Sequence, residues 1–361
     1  MVFRGLDDHQ YEFDKRTLEL INDVLRLNLG FSHILSQPWP DDEVGHFPIE
    51  YADIRGKHVI MFACPTSDKL ELEMQHMIAA YKKQFKAKTL TLGMSFLRYR
   101  RQDRADKVHE ITRLRWFIST LKFFGVDHLV LCEPHSVVNT LKFCREFDLR
   151  VTIADPTALF AEEMKPLLQT IGRENVVVYA PDFGSVGRAI ALARATGTSV
   201  VALPKKRTYG DEVEMGFKFD AGKFLYQIHS VYGTDVPVSC AIVDVADKYA
   251  VIREDEISTG STAIATSYRL RAAGAAGAYF VVTHPVCTAG WSTKLALHTD
   301  HPPFDKVWFG NTRPRGQEGG HRESSGGKIH KVDLAPVFAQ AMVTAITAVL
   351  KKRKRKIRKS Q

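Results

Sequence analysis

Short β-branched runs alternate with longer amphipathic stretches along almost the whole chain of 361 residues, and this alternation narrows the folds open to it more than any other feature. Strands are predicted at Lys57 to Ala63, Thr89 to Met94 and His128 to Cys132, with helices at Lys69 to Phe85 and Ile111 to Phe124 between them. The second half repeats the theme. Strands at Val176 to Ala180, Ser199 to Leu203, Ala250 to Arg253 and Ala278 to Thr283 are interleaved with helices at Gly187 to Ala195 and Thr262 to Ala273. Strand, helix, strand at this spacing implies parallel sheets covered by helices. Two such sets meeting near Asp155 to Ala158 predict two domains, 1–156 and 157–330, with a helix at about 331–350 packing back on the first. In such sheets ligands sit at the carboxyl ends of the strands, so the loops that follow strands are where chemistry is sought.

A net charge of +9 first suggests a polyanion binder, but residues 351–361 carry eight Lys or Arg and no acid, which leaves the rest of the chain at +1. The basic signal therefore belongs to a tail, expected to be disordered and to offer the one route to nucleic acid. The apolar run Leu334 to Leu350, directly before those cations, has the look of a membrane anchor. Gln340, Thr344 and Thr347 interrupt it, and it is predicted instead to lie on a protein core, with no membrane partner. Five cysteines, odd in number and without CxxC spacing, read as reduced thiols in a cytoplasmic protein, and the first residues hold no secretion signal.

The most informative segment runs from Ala250 to Gly274. An apolar strand leads to two acids, Glu254 and Asp255, and then to Thr259, Gly260, Ser261 and Thr262 at the start of a helix. Small residues at a helix N-terminus expose backbone N–H groups to a phosphate, and carboxylates accept hydrogen bonds from vicinal hydroxyls. Phosphate at one end and diol at the other describes a ribose 5-phosphate. An ordinary helix capped by Thr or Ser is the competing explanation.

Two acids followed by T-G-G-T resemble the phosphoribosyl loop of type I phosphoribosyltransferases and phosphoribosyl diphosphate (PRPP) synthetases, and further segments favour the synthetases. Arg98 to Lys107 is similar to their Y-A-R-Q-D-R-K-D nucleotide segment, which puts Arg101, Gln102 and Asp103 on ATP-binding positions. Trp39 to Val59 resembles F-S-D-G-E and the strand after it, which puts Trp39, Asp41 and Glu43 against adenine, often from a neighbouring subunit. Leu129 to Ser136 resembles the D-L-H-A loop, with Glu133 on the acid and His135 on the histidine that meets metal and ATP. Val176 to Ala193 resembles S-P-D-x-G-G-V-x-R-A, which gives Asp182 to metal and ribose phosphate. Pro204 to Met215 resembles the catalytic K-x-R loop, which gives Lys205 and Arg207.

The resemblance runs in order from about Gln37 to Met342. It implies two tandem phosphoribosyltransferase-like domains of α/β class, the first binding ATP and the second ribose phosphate. It also implies Mg²⁺ held by His135 and Asp182, a homo-oligomer with ATP near a subunit interface, and transfer of the β,γ-diphosphate of ATP to ribose 5-phosphate. Ser258 stands where a third acid is usual, Ser185 and Ser261 replace glycines, Glu133 replaces Asp, and Trp39 replaces Phe. The stretch 216–239 is longer than the family's link. These departures fall on the sugar side, and three alternatives stay open: a larger acceptor such as ADP-ribose, a non-catalytic regulatory subunit, and a phosphoribosyltransferase that consumes the diphosphate.

Overall fold

The computed structural model describes residues 2–3, 8–26, 33–34, 54–105, 109–202, 236–240, 242–288, 290–295, 297, 299–313 and 327–359. In chain order the first elements are β1 (Val2–Phe3), α1 (Asp8–Leu25), β2 (His33–Ile34), β3 (His58–Phe62), α2 (Asp68–Ala79), β4 (Thr89–Met94), α3 (Arg113–Phe124), β5 (His128–Cys132), α4 (Val137–Glu146) and β6 (Arg150–Ala154). Then come α5 (Thr157–Ile171), β7 (Val176–Ala180), α6 (Val186–Thr196), β8 (Ser199–Ala202), β9 (Val238–Ser239), β10 (Tyr249–Ile257), α7 (Ser261–Ala272) and β11 (Gly277–Pro285). The last are α8 (Trp291–Leu295), β12 (Lys306–Gly310), β13 (Ile329–Val332) and α9 (Ala335–Lys359).

The chain divides into two compact units. The first comprises Met1–Asp155, Thr312–Pro314 and Asp333–Gln361, and the second Pro156–Asn311 and Arg315–Val332.

In the first unit a parallel sheet has the order β2-β1-β3-β4-β5-β6. All five residues of β5 are buried, as expected for a strand covered on both faces. One core joins Met61, Leu92 and Leu131 of the sheet to Met74 and Ile78 of α2 and to Phe117 and Leu121 of α3. The Ser67 hydroxyl starts α2 by accepting from the Leu70 amide at 3.2 Å, with Asp68 and Glu71 in the first turn complementing the helix dipole. One π turn, Ala80–Gln84, carries the helix on to Phe85.

The apolar run near the C-terminus forms α9, which buries Phe338, Met342 and Ala345. Phe338 meets Phe13 of α1 with ring centroids 5.6 Å apart. A Cβ at Gly93 of β4 would stand only 3.0 Å from the Met342 sulfur, so this close approach of helix and strand requires glycine there. Among the described residues no helix is long and apolar enough to cross a membrane. The expected disordered tail is corrected, because the backbone of residues 351–359 continues α9. Lys and Arg are good helix formers, and cations near a helix C-terminus interact favourably with its dipole.

The second unit holds another parallel sheet, in the order β13-β12-β11-β10-β7-β8-β9. From β7 the chain steps outward through β8 and β9, then returns to the other flank of β7 as β10 and steps outward again. The order therefore reverses between β7 and β10. A crevice opens at such a reversal, beyond the carboxyl ends of the two strands, and that is where this architecture binds ligands.

The strand that carries the two acids is longer than the sequence implied. β10 runs from Tyr249 to Ile257, so Glu254 and Asp255 lie inside it and not in a loop. Hydrogen bonding to β11 continues through them, with Glu254 beside Val282 and Glu256 beside His284. Consecutive strand residues face opposite sides of a sheet, so the two acids diverge. All five cysteines are free, four of them buried, and burial pushes the Cys144 thiol up to about 12.

Candidate functional site

Three pieces of the second unit come together at the reversal between β7 and β10. Just past β7, Asp182 caps a single 3₁₀ turn, Phe183–Ser185. Its Oδ1 accepts from the Ser185 amide at 3.0 Å, the Asp182 amide donates to the Ser185 hydroxyl at 3.3 Å, and that hydroxyl donates to the Asp182 carbonyl at 2.8 Å. Such a reciprocal capping box fixes the carboxylate, and it supplies a physical reason for serine at a position where the resembling motif has glycine. The sequence signal was present as an acid followed three residues later by a hydroxyl. On α6, Arg188 donates from Nη1 to the Gly184 carbonyl at 3.1 Å, which folds its cation back toward the same turn.

Glu254 is only partly buried, whereas Asp255 retains 2% of its exposure. Desolvation, followed by the negative charges of Asp182 and Asp255, raises the Glu254 carboxyl from 4.5 to about 8, while Arg188 and Arg253 pull the other way. A carboxyl raised mainly by burial and by two neighbouring carboxylates marks a spot that would welcome a cation. Among the described residues, no three His, Cys, Asp or Glu are grouped closely enough to hold a metal by themselves. Mg²⁺ takes one or two carboxylates and completes its shell with water and phosphate, and Asp182 beside Glu254 offers carboxylates of that kind.

Beyond β10 the chain turns into α7. Gly260 is the cap residue, with φ +80° in the left-handed region, and no side chain caps the helix. A Cβ there would approach Ile257 Cδ1 to 3.3 Å, so the turn is both conformationally and sterically a glycine position. The ordinary Thr or Ser cap is therefore not what is found. The hydroxyls of Thr259 and Ser261 lie 3.1 Å apart in this turn, and the Ser261 amide donates a long bond to the Thr259 hydroxyl at 3.4 Å. Thr262 is exposed in the first turn. Ser258 is pinned to the next loop, its carbonyl accepting from the Thr288 amide at 3.2 Å and its hydroxyl 3.3 Å from that of Thr288.

In the first unit, Arg101 and Gln102 line a cavity of about 510 Å³ together with Arg104, His109, Glu110, Ile111 and Arg113. Three guanidinium groups around one cavity make an anion-attracting wall. Arg104, His109 and Arg113 were not singled out in the sequence, although the density of cations from Arg98 to Arg115 was visible there. Asp103 sits apart from Arg101 and Gln102. It is 7% exposed and accepts from the Asn139 side chain at 2.8 Å, so it anchors the start of α4 and does not line the cavity. A carboxylate beside a helix N-terminus is stabilised there by the dipole.

His135 is partly buried in the turn between β5 and α4, one residue before Ser136, whose hydroxyl caps α4. Glu133 is buried, with φ +28°, and its amide donates to the Ala154 carbonyl at 3.1 Å. His135 belongs to the first unit and Asp182 to the second. Trp39, Asp41, Glu43, Lys205, Arg207 and most of the stretch 216–239 lie outside the described residues.

No protein-family model matches the chain. Sequence comparison finds a ribose-phosphate pyrophosphokinase of Ralstonia nicotianae, 24% identical over 328 residues that cover 90% of each chain. A ribose-phosphate pyrophosphokinase 1 of Streptococcus pneumoniae is 28% identical over 289 residues, 79% of this chain and 80% of its own. Among solved structures, phosphoribosylpyrophosphate synthetase from Mycobacterium smegmatis superposes with a TM-score of 0.70 at 21% identity, covering 96% of this chain and 98% of that one. That likeness shows the fold: two phosphoribosyltransferase-like α/β domains. In fold and in sequence along most of its length, the chain is similar to ribose-phosphate pyrophosphokinases.

Proposed function

We propose that the protein transfers the β,γ-diphosphate of ATP to the anomeric hydroxyl of ribose 5-phosphate, giving PRPP and AMP. The observation that carries this reading is the pairing, at one sheet reversal, of a carboxylate cluster with a glycine-capped helix N-terminus. In this reading the amides of Ser261 and Thr262 and the hydroxyls of Thr259 and Ser261 hold the 5-phosphate, while Glu254 accepts from a ribose hydroxyl with Asp255 behind it. The cavity walled by Arg101, Gln102, Arg104 and Arg113 takes the polyphosphate of ATP.

Asp182, fixed by its capping box and next to other carboxylates, would hold Mg²⁺ in the second unit. When bound, Mg²⁺ neutralises phosphate oxygens. The ribose C1 oxygen attacks the β-phosphorus in line, and the bond from that phosphorus to the α,β-bridging oxygen breaks as AMP leaves. The chain's task is positioning and charge neutralisation, and Lys205 and Arg207 are assigned to the transferring group. Relatives named for the same activity support this reading.

The test is ³¹P NMR of the purified protein with Mg²⁺, ATP and ribose 5-phosphate. AMP formed in step with an anomeric diphosphate is expected. ADP would mean single phosphoryl transfer and would overturn the assignment. ADP-ribose run as a parallel acceptor reports on the sugar pocket, and a tenfold higher kcat/KM for it would replace ribose 5-phosphate as the acceptor.

A further inference from the structure

Arg253 is a cation buried inside a parallel sheet, with 0% of its surface exposed. It immediately precedes Glu254 in β10 and shares a sheet face with Asp255, two residues on. Its Nη1 donates to the carbonyl of Glu254, the peptide that links the two acids. Its Nη2 donates to the Thr283 hydroxyl on β11 at 3.1 Å. Since Arg253 pairs in register with Val281, reaching Thr283 takes the guanidinium two residues toward the carboxyl end of the sheet, to the level of Asp255. On the far side the Phe160 ring of α5 covers it, 5.1 Å from ring centroid to guanidinium carbon. Strand alternation puts Asp255 on the face that holds the Arg253 side chain and Glu254 on the opposite face.

We infer that Arg253 is a positioning residue for sugar recognition: anchored on Thr283 and covered by Phe160, it fixes the Glu254–Asp255 peptide so that Glu254 alone presents its carboxylate to the sugar hydroxyls. The inference rests on the sugar-phosphate reading above and divides the two acids between separate tasks. A buried guanidinium persists where it is hydrogen-bonded, and the bond to the Glu254 carbonyl links Arg253 to the geometry of the site.

Three variants test it: Arg253→Met, which keeps the volume and removes the charge; Arg253→Lys, which keeps the charge and removes the fork; and Thr283→Val, which removes the anchor and leaves the arginine. The measurements are KM for ribose 5-phosphate and for ATP, kcat, thermal midpoint, and calorimetric titration with ribose 5-phosphate alone. For Arg253→Met, KM for the sugar phosphate is expected to rise about tenfold or more, with KM for ATP within twofold of wild type. Arg253→Lys should recover part of that loss, and Thr283→Val should show the same selective rise at smaller size. Equal rises in both KM values, no difference between the Met and Lys variants, or wild-type behaviour of Thr283→Val would each overturn the inference. If Arg253→Met does not fold, the selective rise in Thr283→Val decides. Absence of calorimetric binding by the wild type would overturn the sugar-phosphate reading itself. Binding by the wild type with equal affinity in the variants would overturn only the role of Arg253.

Discussion

Replacing Glu254 with glutamine should abolish an unusual dependence of stability on pH. A carboxyl raised from 4.5 in the open chain to about 8 in the folded protein keeps its proton in the native state while the unfolded state has lost it. Between those two values stability therefore falls as pH rises, by about 1.4 kcal/mol per pH unit for one group. Across the window the wild type should lose about 3 to 5 kcal/mol, all of it present below pH 4.5 and gone above pH 8. The amide of Glu254→Gln would mimic the protonated carboxyl without titrating. Roughly 2 to 4 °C of midpoint per kcal/mol applies to a domain of 150 to 250 residues, so the variant should gain about 8 °C or more over wild type at pH 8.5 and almost nothing at pH 5. The assay is thermal unfolding from pH 5 to 9 in the presence of a chelator. Adding Mg²⁺ should narrow the gap at high pH, because a cation beside Asp182 and Glu254 favours the ionised form. Parallel curves for the two proteins, separated by a constant offset, would refute the argument that burial and two neighbouring carboxylates hold this proton.

Lys205→Ala and Arg207→Ala should each lower kcat by about 10²-fold with little change in ATP binding, as for groups acting on transition-state charge; unchanged kcat in both removes that loop from the mechanism. Ser185→Ala breaks the capping box around Asp182 and should cost about 1 kcal/mol of stability, read as a lower thermal midpoint, together with weaker dependence of activity on Mg²⁺. Truncation after Leu350 removes the cationic end of α9 and spares Phe338, Met342 and Ala345, so turnover should stay above half of wild type.

Much of this was legible from periodicity and small motifs. Strands such as His128–Cys132 and Val176–Ala180 announce themselves because a strand buried on both faces must be apolar throughout. β10 hid its true length for the same reason. Arg253, Glu254, Asp255 and Glu256 look like a loop to any reading based on hydrophobicity, and only the pairing with β11 shows them to be strand. Composition is enough to find the phosphate loop, but choosing between it and an ordinary helix capped by Thr or Ser takes the backbone, which puts Gly260 at the cap with φ +80°. Asp103 was assigned to ATP because its neighbours are, yet its partner Asn139 is 36 residues away, beyond the reach of local pattern. The cationic end of α9 was expected to be disordered on charge alone, although the same residues are strong helix formers.

The last helix has a consequence for how the protein is made. α9 packs on the sheet of the first unit, against β4, β5 and β6 and against α1, yet it follows the whole second unit in the chain. A ribosome that has finished residues 1–155 has released a sheet with one face still bare, and the whole second unit must be synthesised before the missing helix emerges. The second unit, bounded by Pro156 and Val332, can be completed first, so the usual amino-to-carboxyl order of domain folding is reversed. Until α9 docks, the apolar surface around Gly93 and Phe13 is open to other chains. A nascent or prematurely terminated chain would therefore expose its sticky surface in its oldest part, and an amino-terminal fragment ending at Asp155 should aggregate unless the helix is supplied in trans.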